Sequence, residues 1–124
     1  MTNTVHPQPA TGTPRGYAVA FLEDVRFGPE IQRYLETIEA TLQPFGGEWL
    51  VHGSPPEILE GSWSGALVVI GFPSLAAARA WYHSPAYQEI LGLRTTNSVS
   101  RALVVEGVPA GYHPTDTLAK LLAG

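Results

Sequence analysis

The chain is 124 residues long, enough for one core of the usual domain size and hardly for two. Its formal charge is −4, with a single lysine, Lys120, among seven basic residues, so no basic stripe exists to neutralise phosphates and no nucleic-acid partner is expected. Cysteine is absent, which excludes disulfides and thiolate metal sites and suits a reducing cytoplasm.

Residues 1–15 are polar and rich in Pro and Thr, with neither the charged head nor the apolar run of a signal peptide, and read as a disordered leader. No apolar run nears the roughly 18 residues that span a bilayer, so no membrane partner is expected. Residues 17–24 (YAVAFLED) suit a strand, apolar on both faces. From Pro29, a favoured first helical position, Ile31, Tyr34, Leu35, Ile38, Leu42 and Phe45 recur at helical spacing until Gly46-Gly47 stops them. Residues 48–52 (EWLVH) read as an edge strand, with an irregular continuation through residues 57–60, and residues 66–72 (ALVVIGF) as a central strand.

Ser74 is placed to cap a helix over residues 75–83, and Ser84-Pro85 repeats the signal for residues 85–93, as one kinked helix or two. Residues 102–106 (ALVVE) form the last predicted strand. Residues 115–122 form a short tail helix with Leu118, Leu121 and Leu122 on its apolar side. The expected organisation is a leader at 1–15, one domain at 16–108 and a tail at 109–124.

The order βαββαβ is the ferredoxin-like split βαβ arrangement of the α+β class: a four-stranded antiparallel sheet, with a parallel central pair, and both helices on one face. Strands apolar on both sides leave the other face as an apolar patch. The expected partner is therefore a second copy of the chain, a homodimer joined through that open sheet face.

Several stretches together resemble a known family: Gly46-Gly47 before a strand, Leu59-Glu60-Gly61, Phe72-Pro73-Ser74-Leu75, Ala80-Trp81-Tyr82, Ser84-Pro85-x-Tyr87-Gln88, Leu93-Arg94 and Val105-Glu106-Gly107. The resemblance is to domain of unknown function 1330, in the dimeric α/β-barrel superfamily, and covers about residues 16–108. It implies a ferredoxin-like dimeric α/β barrel. It implies no particular reaction, since related barrels range from monooxygenases and isomerases to proteins without known chemistry. His52 stands where the family commonly has arginine, and Arg101 where an acid is usual.

His6, His52, His83 and His113 are too far apart for a recognised metal spacing, so no metal is expected. With no phosphate loop or dinucleotide fingerprint in the sequence, no cofactor is expected either. His52 ends a strand beside a Gly-Pro turn and is the candidate catalytic residue, as a general base or as a plain edge-strand histidine. Glu57 and Glu60 read as solvated, because their spacing in an irregular strand points them apart.

Tyr87 and Arg94 lie seven residues apart on one helix face, able to hold a carboxylate or carbonyl together or to form a local structural pair. Tyr17, His52, Trp63, Tyr87 and Arg94 are the candidate lining of a pocket for a small-molecule ligand. The functional reading is a small dimer that binds a metabolite without established catalysis. The alternative is a cofactor-independent enzyme, monooxygenase- or isomerase-like, acting on a small carbonyl or ring compound, with His52 moving a proton and Tyr87 or Arg94 holding an oxygen.

Overall fold

The structure, a computed structural model, describes residues 13–124. Most of the predicted leader, with His6, therefore lies outside the described residues. In chain order come β1 (Gly16–Glu23), α1 (Pro29–Leu42), a 3-10 turn (Gln43–Phe45), β2 (Glu48–Val51), β3 (Ala66–Phe72), α2 (Leu75–Tyr82), α3 (Pro85–Thr95), β4 (Val99–Glu106) and α4 (Pro114–Ala123).

Local chemistry accounts for most of these boundaries. Pro29 opens α1, whose buried stripe is Ile31, Tyr34, Ile38, Thr41 and Leu42. The helix tightens into the 3-10 turn and ends at Gly46, which takes a left-handed φ of 71° that side-chain-bearing residues resist. Ser74 Oγ accepts the Ala77 N–H at 3.1 Å, and Ser84 Oγ accepts the Tyr87 N–H at 3.3 Å. Each serine thus starts its own helix, and the segment is two helices rather than one with a kink. Gly16 lets α2 close on the sheet, because a Cβ there would fall 2.3 Å from the Ser74 carbonyl oxygen.

The strand order is β2-β3-β1-β4 with every neighbouring pair antiparallel. This corrects the expected parallel central pair: β1 and β3 run in opposite directions. The crossover through α1 does make β1 and β2 parallel, but β3 inserts between them and pairs with both.

The α/β barrel implied by the family resemblance is also corrected. Among the described residues the sheet is open, with β2 and β4 as its edges, and four strands lie far below the roughly eight needed to close around a packed interior. The α+β class and the four-stranded antiparallel sheet stand; closure does not.

Two further boundaries differ from expectation. Strand β4 begins at Val99 because Val99, Ser100 and Arg101 pair with Glu23, Leu22 and Phe21, a match set by β1 rather than by any apolar run of their own. Residues 57–60 form no strand; the edge strand stops at Val51.

The core lies between the helices and the inner sheet face, where Ile70 and Phe72 meet Ile38, Leu42, Trp81, Tyr87 and Ile90. The outer face carries Tyr17, Val19, Phe21, Leu67, Val69, Leu103 and Val105, aligned across strands by the register. Among the described residues Trp63 lies over the Phe21 end of that face and the rest is largely uncovered; Leu103 is 50% exposed and Val105 47%. Helix α4 is held at its start by the Asp116 carboxylate, which accepts the His113 N–H at 3.1 Å, and none of its residues is buried.

Candidate functional site

The inner face of the sheet has an unfilled region because its side chains there are small. Ala20 of β1 sits opposite Ala102 of β4, and Ala18 lies two residues along. Such residues cannot reach the helices, and a cavity of about 420 Å³ opens between the two layers. Its walls are mainly apolar, from Ala18, Ala20, Val68, Ile70 and Val104 on the sheet and Ile31, Ile38 and Trp81 on the helices. The volume falls within the ~300–1,000 Å³ typical of small-molecule sites.

One end of the cavity is polar and buried. Tyr34 of α1 and Tyr87 of α3 place their hydroxyl oxygens 2.6 Å apart. Arg94, two helical turns beyond Tyr87, donates from Nε to the Tyr34 hydroxyl and from Nη2 to the Tyr87 hydroxyl, each at 3.3 Å. Its Nη1 donates to Ser100 Oγ on β4 at 2.7 Å. Arg94 is only 6% exposed.

Burial, above all, pushes the Tyr34 phenol well above the ordinary tyrosine range; the adjacent Tyr87 adds to this, and the nearby Arg94 charge opposes it without prevailing. For Arg94, burial works against the charge, but the two phenol oxygens outweigh it and the pKa rises. The cluster therefore holds a fixed positive charge beside a neutral Tyr34 hydroxyl.

The other candidates occupy different places. His52 follows β2, exposed, at the cavity wall, with its ring tilted at 41° to Trp49 and the centroids 4.9 Å apart. Tyr17 lies on the outer face, its ring 5.9 Å from the Arg15 guanidinium. Trp63 packs on Phe21 at a 55° tilt, with centroids 5.1 Å apart, and lines a hollow with Glu23, Arg101 and Leu103. His52, Tyr87 and Arg94 thus share one cavity, and Tyr17 and Trp63 lie across the sheet from it.

Glu57 and Glu60 are exposed in the long link between β2 and β3. Sequence reasoning counted Tyr34 among the apolar positions of α1 and gave its hydroxyl no role. The available signal was that hydroxyl: a phenol on a buried stripe must find a partner, and here the partners are Tyr87 and Arg94. Among the described residues no group of three or more His, Cys, Asp or Glu is placed to hold a metal ion, and no helix is long and apolar enough to cross a membrane.

Residues 15–108 match the family model described as Domain of unknown function (DUF1330). The chain belongs to the DUF1330 family. No functionally curated protein matches this DUF1330 chain.

Among solved structures it is similar to a protein of unknown function from Rhodopseudomonas palustris, with 17% identity, 77% of this chain and 83% of that one covered, and a TM-score of 0.58. It is also similar to SnoaB, a cofactor-independent oxygenase from Streptomyces nogalater, with 13% identity, 82% and 100% covered, and a TM-score of 0.55. A dimeric ferredoxin-like protein of unknown function from Thermobifida fusca shares 11% identity over 82% of this chain and 99% of its own, with a TM-score of 0.53. At these identities the likeness shows the ferredoxin-like fold of the DUF1330 chain.

Proposed function

We propose that this chain is a cofactor-independent enzyme of the oxygenase kind, acting on a small ring compound that carries a carbonyl or hydroxyl oxygen. The observation that carries the reading is the buried Tyr34-Tyr87-Arg94 cluster at one end of a mainly apolar cavity. The fold shared with SnoaB supports it, since that protein is a cofactor-independent oxygenase on the same scaffold.

Without a cofactor, the electrons for reducing dioxygen come from the substrate, which first becomes electron-rich by losing a proton. In this reading the ring lies on the apolar walls and its oxygen meets Arg94 and the tyrosine hydroxyls. These groups stabilise negative charge as it develops, as preorganised donors do for oxyanions. His52, at the cavity wall, accepts the proton from the adjacent ring carbon.

The resulting enolate gives electrons to dioxygen, the second substrate, and a ring CH2 becomes C=O with release of one water. Atoms balance as R2CH2 + O2 → R2CO + H2O. An isomerase would share the first step and return the proton to a different atom.

Oxygen uptake by the purified, chelator-treated protein with ring 1,3-diketones and dihydroxynaphthalenes tests the reading against protein-free blanks. Uptake above blank that falls at least about tenfold in Arg94→Met is the expected result, that factor being about 1.4 kcal/mol of transition-state stabilisation. Thermal stabilisation by such compounds with neither uptake nor proton exchange would leave a metabolite-binding protein instead.

We also propose that two copies associate through their outer sheet faces. The uncovered apolar residues of that face support the association, and the Thermobifida fusca protein of the same fold is described as dimeric. A lasting association would bury about 2,000 Å² or more in total.

A further inference from the structure

Arg94 has an incomplete set of partners. A guanidinium carries five N–H donors, and three are used here: one each to Tyr34, Tyr87 and Ser100. Two remain without a partner among the described residues. Both bonds to the phenols, at 3.3 Å, are also long for N–H···O contacts, so the fork is loosely held on that side.

Its charge is equally uncompensated. The ion pairs among the described residues join Arg15 to Glu48 and Arg101 to Glu23, and no carboxylate reaches Arg94. Burying a cation without a counter-ion is costly, and folded chains ordinarily supply an acid at such a place. Here the guanidinium instead borders a cavity large enough for a small ring compound.

We infer that this end of the cavity takes its ligand as an oxyanion, a planar apolar compound whose phenol or enol ionises on binding, with Arg94 as the resident counter-ion. The two spare N–H groups meet the ligand oxygen, the cation supplies the missing partner charge, and the Tyr34 hydroxyl, held protonated, is available to donate to it. The apolar walls accept the ring. The inference rests on reading the cavity as a ligand site and deepens the proposal above by naming the ionised form of the substrate, but it does not depend on turnover.

A 4-nitrophenol probe tests it, because its anion absorbs visible light and its acid does not. Titration of the probe across pH with saturating wild-type protein and without protein compares the bound and free ionisation. The expected result is a bound pKa lowered by about one pH unit or more, a tenfold or larger preference for the anion. Arg94→Met abolishes the shift, and Arg94→Lys, which keeps the charge without the fork, restores part of it.

His52, Arg79, Tyr82 and His83 also line the cavity and are present in wild type and variants alike, so the comparison between proteins tests the guanidinium. A bound pKa that is unchanged or raised overturns the inference, as does absence of saturable binding. If Arg94→Met does not fold, the wild-type titration still decides. Anion-selective binding without oxygen uptake would remove the oxygenase reading and leave this inference standing; uptake without anion preference would do the reverse.

Discussion

The two faces of the sheet are built from the same strands with similarly apolar residues, yet they end in different states. On the inner face, Ile70 and Phe72 are buried under helices, and small residues at Ala18, Ala20 and Ala102 leave a cavity that ends in a buried cation. On the outer face, larger side chains such as Leu103 and Val105 stand half exposed among the described residues. The difference teaches that apolar character alone does not assign a face its role. Size and the presence of a polar terminus separate a face suited to a small ligand from one suited to association.

Substitutions on each face can break this contrast. The largest effect is expected from Val69→Asp, which places a carboxylate in the middle of the outer face, opposite Val19. Burial of that charge between two sheets is far too costly to sustain, so light scattering at micromolar concentration should show a dimer for the wild type and a folded monomer for the variant. A wild-type monomer, or a variant that stays dimeric, would end the sheet-face association.

Next comes Phe72→Ala on the inner face, which removes a fully buried ring lying 5.5 Å from that of Trp81. Its cost to folding should be about 3–5 kcal/mol in urea denaturation, in the range for deleting a buried aromatic. A loss below 1 kcal/mol would mean that the inner layer is far less tightly packed than these contacts show.

Tyr34→Phe sharpens the comparison at the polar end. Loss of the hydroxyl leaves the Tyr87 hydroxyl and Arg94 Nε short of a partner, at a cost of about 1–3 kcal/mol. The pH dependence has a definite sign. The folded state holds the Tyr34 proton above the ordinary tyrosine value of about 10, so its contribution is intact below about pH 10 and is lost progressively above it, as the unfolded chain sheds its proton first. Urea midpoints measured against pH should therefore fall less steeply above that point in Tyr34→Phe than in the wild type. Parallel curves would show that Tyr34 titrates normally.

The smallest effect is expected from Ser84→Ala, which removes the cap of α3 and with it the local anchor of Tyr87. About 1 kcal/mol of stability should be lost, visible as a lower Tm with the oligomeric state unchanged. An unchanged Tm would show that packing alone fixes the start of α3.

By itself the sequence determined the elements whose signals are local. The apolar spacing of Ile31, Tyr34, Ile38 and Leu42, the serines at 74 and 84, the glycine at 46 and the run from Ala66 to Phe72 each specify a helix, a start, a stop or a strand within a few residues of chain. The pairing of Tyr87 with Arg94 was legible for the same reason, since two helical turns put both on one face.

Tertiary structure decided what depends on residues distant in the chain. It set β3 antiparallel between β1 and β2, left the sheet open, extended β4 back to Val99, brought Tyr34 to Tyr87 and put Tyr17 and Trp63 across the sheet from the cavity. Periodicity reports where a side chain points relative to its own strand or helix axis. Whether it then meets a ring, an alanine or open space is fixed by register and layer packing, which no single segment encodes.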